Sequence, residues 1–479
     1  DSGAVEIAKL RLWLSLVVDY ELEDIEPLPN LDYKIMIGNS LIEKLDTKKL
    51  EKTMDDDKNK LIDEVKNLKE KYFETSELKT KTNLRFQINE TIRLLINYDN
   101  KQKREEIKTQ FTDKKNQMKM FLFDGEQQSF DDIKTVALLE TFKDVKETDH
   151  FEWHINFNEV FEKGGFDVVI TNPPYETSRS KGIEDYLKKY FRDNYLTAED
   201  KFDYYVFFIE KSLNLSSKNK IVCLITPSTY LMKPLSKKIR KYLLSKSEII
   251  SIDEFKGSVF EATVPTAITI LKNTLPQLGH DVKIRFNFLN INNFLNNICN
   301  KNLLKQILFN VGPYFYINIY TTEWFFTFYK KLINQDKIIK LGILAEIYNG
   351  IQTGDDKKYV NRQKTSKDWQ KVLTGSDIQK YYKKWGGKYV YYVPSKLHSN
   401  TRKEIFKTPA KIIIRQTSDK IIGTYDEKQY LTLASTFVVK QFEELIDYKV
   451  LLSILNSSLF FYLYRNINNE EGRVLPQIK

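Results

Sequence analysis

The sequence predicts an α/β protein: a mainly parallel, doubly wound sheet, interrupted by a charged helical insertion and followed by a C-terminal α+β region. Three observations predict it. Past His150, strand-length apolar runs alternate with helical patterns, which is how parallel sheets are built. Between about Ile42 and Lys146 the composition shifts to dense Lys, Glu and Asp, with apolar residues at helical spacing. From about Lys337, aromatic and β-branched strands are separated by loops heavy in Gly and Lys.

The chain of 479 residues suits about three domains of about 100–200 residues, each able to bury a core. It begins Asp1-Ser2-Gly3-Ala4 without an initiator Met and already in helical register, as a segment of a longer polypeptide would. Ala4, Ile7, Ala8, Leu10, Leu12, Leu14, Leu16 and Val17 read as a buried helix that Asp1 or Ser2 can cap. Pro27-Leu28-Pro29-Asn30 breaks that pattern, and Tyr33–Ile37 reads as a short strand ending at Gly38-Asn39-Ser40. Within the insertion, Ile62, Val65, Leu68 and Tyr72, then Ile88, Ile92, Leu95 and Ile96, predict long amphipathic helices forming a solvated hairpin.

Downstream, Phe166–Ile170 has the run of a buried strand, Asp203–Leu213 a helix, Lys220–Ile225 a strand, Leu235–Leu244 a helix, and Ile249–Phe255 and Thr266–Leu271 two further strands. The Asn- and Leu-rich stretch near Asn287–Lys305 reads as a connector, beyond which Lys388–Val393 and Lys411–Arg415 are strands. The expected divisions are residues 1–41, 42–150, 151–285, 286–336 and 337–479.

Composition narrows the function. A net charge of +10, from 75 Lys and Arg against 65 Asp and Glu, suits a polyanionic partner, most simply nucleic acid. The two cysteines, Cys223 and Cys299, make no disulfide framework and fit a reducing, cytosolic setting. The longest apolar runs, such as Leu12–Val18, fall well short of the roughly 18 residues a membrane span needs, and no signal peptide is visible. His150 and His154 share a helical spacing but lack a companion Glu or Cys cluster, and Asp253-Glu254-Phe255-Lys256 lacks the upstream carboxylate of a nuclease, so no metal site is expected.

The motif that carries chemistry is Asn172-Pro173-Pro174-Tyr175, directly after the strand Phe166–Ile170, at the strand edge where open α/β sheets place ligands. Two prolines fix φ, remove two backbone donors and leave a stiff turn with free carbonyls. Such a turn suits methylation of an exocyclic amine. The amino nitrogen of adenine is a poor nucleophile because its lone pair is delocalised into the ring. If the Asn172 side-chain oxygen and the Pro173 carbonyl each accept one amino hydrogen, the lone pair turns toward an attacking methyl sulfonium. Tyr175 offers a face on which an extruded base can stack, worth about 1–3 kcal/mol against an extrusion cost of a few kcal/mol.

These residues resemble the amino-group-methylating adenine DNA methyltransferases and, within them, the large fused type IIG restriction-modification enzymes. Ala4–Val18 with Asp19 resembles the helix after the family's acidic cofactor strand, and Gly38-Asn39-Ser40-Leu41 its turn at the cofactor adenine. Phe161–Asp167 is similar to the lead-in to the catalytic turn, Asp203–Lys211 to the next helix, Ile221–Leu231 to the following strand and turn, Val259-Phe260-Glu261 through Thr269 to the last motif strand, and Gly350–Gly354 to the opening of the target-recognition domain.

The resemblance implies a Rossmann-like sheet that uses S-adenosylmethionine and acts on double-stranded DNA at a short specific site, in a prokaryotic cytoplasm. It assigns Asn172, Pro173, Pro174 and Tyr175 to catalysis, Tyr175 and Phe260 to holding the flipped base, and Asn39, Ser40, Asn172 and Phe208 to the cofactor. Gln352, Thr353, Lys357 and Lys358 become DNA contacts. The family's acidic-aromatic-x-Gly-x-Gly loop and its ribose-binding acid do not occur in residues 1–479, so the first strands of that sheet are expected upstream and the recognition domain is expected to be cut short. Mg would enter only with an upstream nuclease domain. Two other readings stay open: a DNA-binding specificity module without its own activity, and a methyltransferase acting on RNA or on a protein glutamine through the same turn.

Overall fold

The computed structural model describes residues 2–18, 34–42, 56–75, 77–120, 151–177, 185–257, 259, 264–335, 338–418, 420–442 and 446–467. By compactness these fall into two units, Asp1–Val169 with Phe207–Ile221, and Ile170–Val206 with Val222–Lys479.

In the first unit, helix α1 spans Ser2–Val17. It is not the buried helix predicted: Ile7, Leu10, Leu12 and Leu14 are each about half exposed. Residues 10, 12 and 14 lie two apart, and at about 100° per residue that spacing scatters side chains around a helix instead of stacking them on one face. The strand predicted at Tyr33–Ile37 is also absent from its described residues: Lys34–Ile42 forms bends and turns. There the Asn39 Oδ1 accepts the Leu41 N–H at 3.0 Å, a local side-chain bond that curls the backbone and competes with strand pairing. Asp1 lies outside the described residues.

The charged insertion forms the predicted amphipathic helices, α2 (Asp56–Glu74) and α3 (Leu78–Met120). Val65, Tyr72, Ile88, Ile92, Leu95 and Ile96 make their shared core, joined by Ile155. Two lysines are buried in it. Lys58 pairs with Asp99 at 3.0 Å, and Lys69 donates to the carbonyls of Ile155 and Asn156 at 2.7 and 2.9 Å. Burial pushes the Lys69 ammonium down to about 8, opposed by the nearby Glu159 carboxylate. Phe151, Trp153, Phe157, Phe161 and Phe166 pack edge-to-face or tilted beside it.

The principal sheet has six strands, β1 (Phe166–Thr171), β2 (Ser216–Pro227), β3 (Glu248–Phe255), β4 (Thr266–Lys272), β5 (Asp281–Phe288) and β6 (Asn300–Lys305), in the order β1-β2-β4-β3-β5-β6. Helices α4 (Asp185–Asn194), α5 (Tyr205–Leu215) and α6 (Lys237–Lys246) lie between its early strands in sequence. Alternation predicts mainly parallel pairing, but the half from β4 outward is mixed. β3 runs parallel to β5, whereas β3/β4 and β5/β6 are antiparallel. β4 returns beside β3, and an antiparallel return needs no crossover helix. The expected connector contributes β6 and then α7 (Glu323–Ile333), capped by the Thr322 hydroxyl. β1 stands at the sheet's edge, and Val168 and Ile170 are 55% and 76% exposed. The run Phe166–Ile170 reads as buried because apolar content reports what a strand can pack against, not whether a neighbour is present.

Further on, two four-stranded sheets form, in the orders β13-β9-β10-β8 and β12-β11-β14-β7. Their strands are β7 (Ala345–Asn349), β8 (Val360–Asn361), β9 (Trp369–Leu373), β10 (Tyr389–Tyr391), β11 (Lys411–Arg415), β12 (Gly423–Asp426), β13 (Leu431–Thr432) and β14 (Thr436–Gln441). Ile412 and Val439 are register partners and pack on α8 (Tyr448–Leu455). Lys411, fully buried, donates to Asp426 Oδ2 at 2.6 Å and to the Phe406 carbonyl at 2.7 Å. No helix among the described residues is long and apolar enough to cross a membrane.

The Lys69 site makes a testable statement about pH. Its folded pKa, about 8, lies below the unfolded value near 10.5, so between those values the unfolded chain binds a proton the folded chain has lost. Stability contributed at this site therefore rises with pH across that window. Comparing urea midpoints of the protein and its Lys69→Met variant at about pH 7.5 and about pH 9.5, the difference should move in favour of lysine at the higher pH. A difference that does not change with pH contradicts this account.

Candidate functional site

The Asn172-Pro173-Pro174-Tyr175 turn follows β1 without a gap. Pro173 is buried and Pro174 exposed, so one ring anchors the turn while the other faces solvent. The Asn172 amide is exposed and hydrogen-bonds to none of the described residues, and neither proline carbonyl accepts a bond from them. Tyr175 is half-buried with its hydroxyl 3.5 Å from the Ile225 carbonyl, near the end of β2, and burial raises its pKa. Beyond it the chain is pinned by the Tyr204 N–H donating to Glu176 O at 2.9 Å and by an antiparallel bridge between Thr177 and Asp203. The turn is thus clamped on both sides while its acceptors stay uncommitted.

The loop after β2 is held as firmly. Arg240, on α6 and fully buried, donates through Nη1 to the carbonyls of Tyr230 and Lys233 at 2.6 and 2.7 Å, and through Nε to Tyr314 O at 3.0 Å. Burial pushes its guanidinium down to about 10. The Tyr230 hydroxyl bonds Thr269 on β4 at 2.6 Å, Tyr205 bonds Thr229 at 3.2 Å, and Lys233 pairs with Asp203 at 2.8 Å. Thr226 and Thr266 are buried at this edge with hydroxyls that have no partner among the described residues.

The other candidate residues lie elsewhere. Asn39, Ser40 and Phe208 belong to the first compact unit. Asn39 is exposed; its oxygen accepts the Leu41 N–H, and its amide nitrogen remains able to donate. The Ser40 carbonyl accepts the Trp153 indole N–H at 3.0 Å. Phe208 is half-buried on α5. Phe260 lies outside the described residues. Asp253 and Glu254 have structural partners: Arg285 grips Asp253 with two bonds of 2.6 and 2.8 Å, and the Tyr320 hydroxyl donates to Glu254 at 2.7 Å. His150 lies outside the described residues, and no metal-ligating cluster occurs among them.

Gln352, Thr353 and Lys357 come together in a cleft of about 810 Å³ between the two C-terminal sheets' loops, lined also by Ser376, Lys388 and Arg415. Gln352 is exposed, its oxygen accepting the Ser399 hydroxyl at 2.9 Å; the Thr353 hydroxyl is buried against Asp356. Lys358 does not line the cleft: its ammonium sits 5.2 Å from the Tyr359 ring. Gly375 lines the cleft, and Gly350 directly precedes its lining residue Ile351. A Cβ on Gly350 would lie 2.1 Å from Leu433 O, and one on Gly375 2.8 Å from Ser435 O. Sequence reading passed over Arg240 and Arg415, since a lone arginine on a basic helix or at a strand end carries no spacing signal.

Residues 1–260 match the Eco57I restriction-modification methylase family, and residues 370–479 match the TaqI-like C-terminal specificity domain. A putative type II restriction enzyme and methyltransferase of Methanocaldococcus jannaschii is 26% identical over 97% of this chain and 41% of its own length. The type II methyltransferase M.BstVI of Geobacillus stearothermophilus is 33% identical over 27% of this chain and 22% of its own. The chain thus spans less than half the length of either relative. Among solved structures, the type IIL restriction-modification enzyme MmeI in complex with DNA aligns with a TM-score of 0.45 and 13% identity, over 72% of this chain and 50% of that one.

Replacing Arg240 by Met should destabilise the protein by about 2–4 kcal/mol, because the Tyr230 and Tyr314 carbonyls lose their donor and the Lys233 carbonyl keeps only the Ser236 N–H. Denaturant titration reads this directly, and a loss under about 1 kcal/mol would show that water or neighbouring amides satisfy those carbonyls instead.

Proposed function

The chain belongs to the Eco57I restriction-modification methylase family, and from that premise we propose that it carries the methyl-transfer and target-reading parts of a protein that methylates the exocyclic amine of adenine in duplex DNA. One observation carries this reading. At the end of β1, the Asn172 carboxamide and the Pro173 carbonyl are both without a partner among the described residues, on a turn clamped through Tyr175 and Glu176.

An amino group placed between those two oxygens donates one hydrogen to each. The nitrogen then moves toward tetrahedral geometry and its lone pair leaves the ring. S-adenosylmethionine supplies the electrophilic methyl group. With the methyl group supplied by the bound cofactor, the nitrogen would lose one proton along its hydrogen bond toward water; the carboxamide and the peptide carbonyl would align it without acting as strong bases. Tyr175, anchored near Ile225, offers its ring to the extruded base. Phe260 is proposed as a second aromatic at that base.

The residues present fit the cofactor by chemistry: the exposed Asn39 amide can donate to a purine nitrogen, and the half-buried Phe208 can cover its ring. Asn39, Ser40, Phe208 and Asn172 are proposed as the residues that contact the cofactor. The match of residues 370–479 to a specificity domain supports DNA over a protein glutamine as substrate. The proposed DNA contacts are Gln352, Thr353 and Lys357 in the cleft, with Lys358 beside it.

In the full polypeptide, Asn172→Ala should lower transfer of radiolabelled methyl groups into duplex DNA by at least about 10²–10³-fold, with DNA affinity nearly unchanged. Near-normal transfer by that variant would show the chemistry is assigned to the wrong turn.

A second outcome separates the two lysines. Lys357→Ala should make the dependence of log K on log salt shallower by about 0.9, the value of one lost phosphate contact, whereas Lys358→Ala should leave it as it was. Equal effects would place Lys358 on the DNA as well.

A further inference from the structure

The cleft that holds Lys357, Lys388 and Arg415 contains three cations and one carboxylate, Asp356, which is already engaged by the Thr353 hydroxyl. The cations are not equivalent. Lys357 and Lys388 carry flexible stems and pair with no acidic group among the described residues. Arg415 is built in. It ends β11, a strand paired on both sides, with Ile414 opposite Phe437 and Gly423. Its own N–H donates to Ile422 O at 2.9 Å, and the next residue, Gln416, donates to Ser435 O at 2.9 Å. Its side-chain Nε donates to the Thr417 carbonyl at 2.9 Å, and its Cγ lies 3.5 Å from where a Cβ on Gly375 would stand.

With Nε held, the guanidinium plane is fixed. The two terminal nitrogens have no partner among the described residues, although the side chain is half-buried. An oriented pair of parallel N–H donors with no carboxylate opposite them among the described residues is free for a ligand that presents two acceptors side by side. In duplex DNA two groups do so: the O6/N7 edge of guanine and a phosphate. A phosphate contact tolerates a mobile lysine at the rim, which Lys357 already provides. A fork rooted in a strand and braced by a backbone floor positions to within the tolerance that reading a base edge demands.

We propose that Arg415 is a specificity-determining residue that reads the major-groove edge of one guanine in the recognised site. The proposal rests on the reading that the full polypeptide acts on duplex DNA. It is tested by selecting bound duplexes from a randomised library with the full polypeptide and with Arg415→Ala and Arg415→Lys variants, and by mapping methylated positions in parallel. The wild type should demand guanine at a position where both variants relax, with a fall of roughly 5–150-fold in preference there. Lysine should not rescue, because it keeps the charge and loses the fork. Replacing that guanine by 7-deazaguanine, which removes N7, should weaken binding by the wild type and leave Arg415→Ala indifferent.

A uniform loss of affinity across all sequences with a shallower salt slope, or full rescue by lysine, would make Arg415 a phosphate contact and overturn the proposal; so would unchanged selection by a folded variant. Guanine-dependent binding lost in Arg415→Ala while no methyl group is transferred by the wild type would sink the methylation reading and leave this one standing.

Discussion

The buried guanidinium of Arg240 is the contact on which the sheet's functional edge depends. Three carbonyls from two separate stretches, Tyr230 and Lys233 after β2 and Tyr314 far downstream, converge on it. The Tyr230 and Tyr314 carbonyls accept no other bond from the described residues, and the Lys233 carbonyl accepts only the Ser236 N–H besides, so without this donor the segment would have to open to water. Desolvating a cation is costly, and the lowered pKa records that cost. The arrangement persists because the bonds are short, charge-assisted and simultaneous. Through Tyr230 and Thr269 it fixes the loop to β4, and through Lys233 and Asp203 to the segment that bridges Thr177. The proline turn is therefore stiff at two levels: by its own ring constraints, and by the framework on which its far end rests.

Charge is distributed differently from what composition suggests. The surplus of ten positive charges points to a polyanion, yet Lys58, Lys69, Arg240 and Lys411 are all buried and bonded internally, although the Arg240 Nη2 has no partner among the described residues. These cations act as donors that gather carbonyls and carboxylates inside the fold. What remains for a ligand is smaller and local, and the C-terminal cleft is where uncompensated cations meet concavity.

Much of this was legible in the sequence wherever one physical signal dominated. The helices at Asp56–Glu74 and Leu78–Met120 follow from a single apolar stripe, and β11 at Lys411–Arg415 from β-branched residues bounded by polar ones. The Asn-Pro-Pro-Tyr turn was legible because proline constrains backbone irrespective of context. Other features depend on partners distant in sequence. Asn300–Lys305 is polar and reads as connector, but pairing with β5 makes it a strand. The apolar content of α1 and of β1 predicts burial, whereas Leu10 and Ile170 are exposed. Arg240 and Arg415 owe their character to carbonyls and to a pinned Nε that no local pattern announces.

The floor of the cleft has a consequence for how this protein can change. At Gly375 in the cleft, and at Gly350 beside it, the backbone of one segment rests directly on the backbone of another, so any side chain there collides with a carbonyl. The rim, by contrast, is made of side chains such as Gln352, Ser376 and Lys388 that are at least partly exposed. Inheritance acts on the two differently: replacements on the floor are purged by misfolding whatever the ligand, while replacements on the rim are judged by the ligand alone. Lineages descending from this chain can drift toward new partners by exchanging rim residues one at a time, over a foundation that does not register the exchange.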